Sequence, residues 1–179
     1  MIRIRRLTHW TAALMLLVAT ASAQDATITG TVEGRVGDAA KTWYALQFAV
    51  EGELQDTVNV EDYGFQVDVT IQAHVEPRFT MSEALVISAG FDSLAACPCT
   101  ATYVEVFFLA EGSMFSNVYR AEEGSLIVET ATPTGDGRMR LVGSFEYTAS
   151  FHADAFGEGD PDDAVTIAGT FDVEGGPLE

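Results

Sequence analysis

Phe65-Gln66-Val67-Asp68-Val69-Thr70-Ile71-Gln72-Ala73-His74-Val75-Glu76 alternates apolar and polar residues without a break. Successive side chains of an extended strand point to opposite faces, so a period of two builds one apolar row and one polar row. A surface helix would need a repeat near 3.6. The stretch therefore predicts a half-buried strand, and the pattern recurs further along. Met139, Leu141, Gly143, Phe145, Tyr147, Ala149 and Phe151 form a second apolar row, and Val165, Ile167, Gly169, Phe171 and Val173 a third. More strands are expected near 26–33, 42–50, 101–110, 113–119 and 125–131, where Val, Ile, Thr, Phe and Tyr concentrate. Breaks such as Glu111-Gly112, Glu122-Glu123-Gly124 and Thr134-Gly135-Asp136-Gly137 separate them. Thr80-Met81-Ser82-Glu83 has the form of a helix-capping box, but the β-branched Val86 and Ile87 follow, so 80–87 fits a short helix and a strand equally.

About eight or nine strands make the chain all-β. A single open sheet would leave its apolar face wet, so the expected fold is an antiparallel β-sandwich, with a closed, calycin-like β-barrel as the alternative. The two differ in function: a sandwich binds through end loops or an edge, whereas a barrel holds a small molecule inside.

Upstream of the strands, Met1-Ile2-Arg3-Ile4-Arg5-Arg6 is basic, Ala12 to Ala19 is apolar, and Ala21-Ser22-Ala23 is a small-x-small site. This order is that of a cleaved secretory signal peptide over 1–23, which predicts a secreted or periplasmic protein of bacterial type beginning at Gln24. The apolar run falls short of the ~20 residues that cross a bilayer, so no transmembrane segment is expected after cleavage. No linker-like composition or repeat divides 24–179, which reads as a single acidic β domain. Cleavage removes Arg3, Arg5 and Arg6, leaving 6 basic residues against 27 acids and a charge of −21. Phosphate binding needs concentrated positive charge, so nucleic acid is excluded as a partner and anionic membrane surfaces are repelled. An envelope or extracellular protein partner is compatible with this surface.

Residues 119–173 resemble the end of a loose group of uncharacterised secreted bacterial β-proteins. The resemblance rests on Gly124-Ser125-Leu126-Ile127-Val128-Glu129-Thr130, Gly143-Ser144-Phe145-Glu146-Tyr147-Thr148-Ala149 and Val165-Thr166-Ile167-Ala168-Gly169-Thr170-Phe171-Asp172-Val173, with an early Trp43. It implies export and a β fold and carries no assigned activity. Within it, Gly143-Ser144-Phe145-Glu146-Tyr147 and Gly169-Thr170-Phe171-Asp172-Val173 echo each other, which predicts an antiparallel pair with both phenylalanines turned to the core.

Three constellations carry candidate chemistry. Cys97 and Cys99, the only cysteines, flank Pro98. In an oxidising compartment they should pair, with a turn at Pro98 bringing the sulfurs together. Intermolecular pairing, soft-metal binding and redox catalysis are the other readings. His74 with Glu76, and His152 with Asp154, each place an imidazole and a carboxylate on one strand face, a transition-metal site if the two strands are neighbours. The solvated polar face is the plainer account. Asp154, Glu158, Asp160, Asp162 and Asp163 lie in a Gly- and Pro-containing stretch with enough carboxylates for calcium, although without EF-hand spacing. A solvated hairpin loop is the plainer account, and no other cofactor is implied. Nucleophile-elbow, zinc-helix and phosphate-loop motifs are absent. The expected role is a non-catalytic binding or envelope-associated module; a barrel-type carrier and a redox or hydrolytic enzyme are the alternatives.

Overall fold

The alternating runs become twelve strands, joined by turns in which glycine and acidic residues take the bend. In chain order they are β1 (Thr27–Val36), β2 (Ala39–Val50), β3 (Glu53–Asp56), β4 (Val58–Asp62), β5 (Val67–Ala73), β6 (Ala84–Phe91), β7 (Cys99–Thr100), β8 (Tyr103–Ser113), β9 (Ser116–Ala121), β10 (Gly124–Gly135), β11 (Arg138–His152) and β12 (Gly159–Gly175). The computed structural model describes residues 26–121, 123–135 and 137–177, and no helix occurs among them. The signal peptide read at 1–23 lies outside the described residues.

All twelve strands belong to one antiparallel sheet, in the order β3-β2-β1-β12-β11-β9-β8-β6-β5-β4, with β10 on β11 and β7 on β10. The sheet is open rather than a closed barrel, and it folds over to make two layers. The change of layer happens on β11, whose 15 residues outrun a single layer. Its first part, from Arg138 to Tyr147, pairs with β10, and its end, from Ser150 to His152, pairs with β9. β1, β2, β3, β10 and β12 thus form one layer with β11, and β4, β5, β6, β8 and β9 the other.

Inward rows from both layers meet in one core. Trp43, Leu46, Ile71, Leu85, Ile87, Phe91, Leu141, Tyr147 and Ile167 are fully buried. Each such side chain contributes roughly 1.5–3 kcal/mol through removal from water. A smaller apolar cluster, Ala84, Phe107, Leu109 and Val118, lies on the outer face of β6, β8 and β9 under Met81, Met114 and Ala155.

The echoed motifs pair with each other. Gly143 stands opposite Phe171 and makes room for its ring, whereas Gly169, opposite Phe145, lets the Glu33–Gly34 backbone of β1 approach, and both rings are buried. Added to Gly143, a Cβ would come within 2.4 Å of the Phe171 ring.

The opening stretch is trimmed at both ends. Its strand starts at Val67, because Gly64 takes φ 79° and a turn closes from Tyr63 N–H to the Gln66 carbonyl at 2.9 Å. Phe65, expected in the apolar row, is 80% exposed and stacks on Tyr63. In 80–87, Thr80 Oγ1 accepts from Ser82 N–H and Glu83 takes φ 54°, which makes a turn, and Ala84 begins a strand. Three of the strands not expected, β3, β4 and β7, have 4, 5 and 2 residues, too few for alternation to register.

Between β6 and β8 the chain leaves its layer, and Cys99 and Thr100 pair with Val128 and Ile127 of β10 across the open side. Cys97 and Cys99 form a disulfide within this strap, and the Cys97-Pro98 bond is cis. Leu94 is buried beneath it, and both cysteines pack against the core.

Candidate binding groove

The other side of the sandwich is closed by a corner at Thr57. β3 pairs with β2, β4 pairs with β5, and only Thr57 separates them, so one run of chain passes from layer to layer. The corner is fixed by hydrogen bonds. Thr57 N–H donates to the Leu46 carbonyl at 2.8 Å, its hydroxyl accepts from Leu46 N–H at 2.8 Å, and its carbonyl accepts from Gln72 N–H at 2.8 Å. Leu46 N–H and C=O both point to the side of β2 turned away from β1, so both are available to Thr57.

Gln55 and Asn59 flank the corner and line two depressions that meet there. One, of about 430 Å³, runs over Thr70 and Gln72 to Phe48 and Phe79. The other, of about 680 Å³, runs past Gln47 to Arg138 and Glu174. Together they form an elongated groove, aromatic at one end and ionic at the other. The side-chain amides of Gln55 and Asn59 have no hydrogen-bond partner among the described residues.

At the aromatic end, Phe48 and Phe79 meet edge to face with centroids 5.2 Å apart. Phe79 also rests on the His74 ring, 4.8 Å away. His74 is fully buried; its Nδ1 lies 2.6 Å from the Thr80 carbonyl, so Nδ1 carries the proton and Nε2 is left as a buried acceptor without a partner. Burial pushes the His74 pKa below its ordinary value, and the Thr80 hydrogen bond only partly offsets this. The His74 backbone exchanges two hydrogen bonds with Tyr44 of β2. His74 thereby pins the segment that carries Phe79.

At the ionic end, Arg138 donates through Nη1 to Asp56 and through Nε to Glu174 at 2.9 Å. Gln47 adds a hydrogen bond to Asp56 at 3.2 Å. The Arg138 hydrogen bond holds the Glu174 carboxyl below its ordinary value. A general acid for glycoside hydrolysis needs the opposite shift, so Glu174 is suited to accepting hydrogen bonds rather than delivering a proton.

Of the residues singled out from sequence, His74 supports the aromatic end of the groove through Phe79, and the others fall elsewhere. His74 is at the end of β5, while His152, on β11, contacts the Gly157 carbonyl through Nδ1 at 3.0 Å and Ser150 Oγ through Nε2 at 3.2 Å. Glu76 is ion-paired to Arg78 at 2.5 Å, and Asp154 accepts from Phe156 N–H at 2.9 Å. The two His and carboxylate pairs thus have separate partners. Of the acidic stretch, Asp160, Asp162 and Asp163 lie on the first residues of β12 rather than in the connecting loop. Asp160 receives the Asp162 N–H at 3.0 Å, and Asp163 the Tyr119 hydroxyl at 3.4 Å. Among the described residues no three or more His, Cys, Asp or Glu side chains are grouped to hold a metal.

Two other surface features are present. A shallow depression of about 630 Å³ lies over Gly34 and Gly169, lined by small side chains such as Ser125, Ser144 and Ala168. Phe115 and Phe156, 77% and 75% exposed, meet with centroids 5.9 Å apart where two loops adjoin. Neither gathers unpaired amides as the corner groove does.

No known protein family, characterised protein or solved structure matches this chain.

Proposed function

We propose that the chain is an exported, non-catalytic binding module whose working surface is the corner groove. The observation that carries this reading is the pair of amides without a partner among the described residues, Gln55 and Asn59, which flank the fixed Thr57 corner and line both depressions. Amides that already satisfied each other would gain nothing from a ligand; these offer donors and acceptors outward from a rigid scaffold. The lowered pKa of Glu174 argues against its acting as a general acid.

Export is supported by the leader-like 1–23. A disulfide also fits an oxidising compartment, and its place in the strap favours a structural role over redox exchange. The carrier reading required a closed barrel, and this sheet is open with large side chains filling its interior.

The reading is tested by thermal-shift measurements on the mature protein and on a Gln55→Ala, Asn59→Ala double variant. The ligands are neutral oligosaccharides, lysine-rich peptides and divalent cations. One class is expected to raise the melting temperature of the parent and not of the variant. A class that stabilises both equally, or no stabilising class at all, contradicts the groove.

A further inference from the structure

We infer that the groove takes an uncharged saccharide chain; this rests on the groove being the working surface and names its ligand class. A sugar hydroxyl both gives and accepts a hydrogen bond, and so does a carboxamide, through its NH₂ and its carbonyl. Gln55 and Asn59 present such groups unpaired, and Thr70, cross-strand from Asn59, adds a hydroxyl. The next polar position on β5 is Gln72, whose amide reaches only the sulfur of Met81, a weak acceptor.

Aromatic surface lies at the end of this polar row. Phe79 is 51% exposed, and Phe48 buttresses it from the side. The C–H face of a pyranose is apolar and packs on such a ring, while its equatorial hydroxyls remain free for the amides. An aromatic platform beside carboxamides and a hydroxyl matches both faces of a sugar.

Charge narrows the class. Arg138 is the cation at the groove, and Asp56 and Glu174 already occupy its guanidinium. With a mature charge of −21, uronic acids, phosphates and sulfated glycans are repelled. Length narrows it again, because two depressions sharing Gln55 and Asn59 make a groove for several sugar units in line.

An extended peptide fits less well. Strand addition needs a free edge, yet β3 has 4 residues and β4 is capped where Val60 N–H donates to the Gly176 carbonyl at 3.0 Å.

The test is calorimetric titration of the mature protein with cellohexaose, laminarihexaose, maltohexaose, xylohexaose and mannohexaose. At least one is expected to bind, with affinity unchanged between about 50 and 500 mM NaCl because no charge is involved. Phe79→Ala and Asn59→Asp should each weaken it about tenfold, the loss of one packing or hydrogen-bond contact. Unchanged melting temperatures in both variants show that the fold is intact; Gln55→Ala replaces either one that unfolds. A silent saccharide panel, with a lysine-rich peptide bound in a Gln55- and Asn59-dependent way, overturns the saccharide and keeps the groove. Saccharide binding unaffected by all three variants overturns the site. Silence from both ligand classes overturns both readings.

Discussion

Thr57 shows how much one side chain carries at this corner. It is 5% exposed, and its hydroxyl is the acceptor for Leu46 N–H, which points away from β1. Thr57→Val keeps the shape and strands that donor in the interior. The expected loss is about 1–3 kcal/mol of unfolding free energy, read as a lower urea midpoint; an unchanged midpoint would mean that Leu46 N–H finds another partner. His74 acts through its protonation state. Its folded pKa lies below the ordinary 6.5, so between those two values the unfolded chain binds a proton that the folded chain resists. The stability from neutral His74 is present above pH 6.5 and is lost as pH falls toward the folded value. His74→Asn retains an N–H near the Thr80 carbonyl and does not titrate. The stability advantage of the parent over this variant should therefore shrink from pH 7.5 to pH 5, measured by urea unfolding, and a constant difference would refute the buried neutral imidazole.

At the scale of elements, β11 and β12 fit together where Gly143 receives the Phe171 ring. A methyl group at Gly143 would approach the Ile127 carbonyl to 2.2 Å and the Phe171 ring to 2.4 Å. Gly143→Ala should cost roughly 1–3 kcal/mol by overpacking, visible as a lower melting temperature, whereas Gly137→Ala probes only its own positive φ of 74° in a roomier turn. This pairing was legible in the sequence because both strands are long, alternate strictly and repeat one motif. β3 and β4 were not legible. Their 4 and 5 residues hold too little pattern, and the corner between them depends on Leu46 and Gln72, which are distant in sequence. The Glu51-Gly52 turn, with φ of 54° and 93°, and the alternation of Val58 and Val60 with Asn59 and Glu61 were the available signals. The groove residues stayed hidden for the same reason, since Gln55 and Asn59 look like any solvated strand face until the corner sets them beside Phe79. His74 and Glu76 seemed to share a strand face, but the strand ends at Ala73 and the pair separates.

For the whole molecule, charge and topology set the behaviour. With 27 acids against 9 basic residues, repulsion opposes the compact state, and added salt screens it. The melting temperature of the protein should rise between about 20 and 300 mM NaCl; a fall would mean that ion pairs such as Arg140 with Asp172 outweigh the repulsion. Topology closes the sandwich on one side by the Cys97–Cys99 strap and on the other by the Thr57 corner, and at the corner Gln55 and Asn59 have side-chain amides without a partner among the described residues. The side-chain amide spectrum of nitrogen-15-labelled protein tests that assignment most directly, because it observes Gln55 and Asn59 themselves during titration with the neutral hexasaccharides. Gln66, hydrogen-bonded to Asp68 beside the Tyr63 turn, serves as the internal control. The account predicts that the Gln55 and Asn59 resonances move together and saturate while Gln66 stays in place; movement of Gln66 alone, or of none of the three, would contradict it.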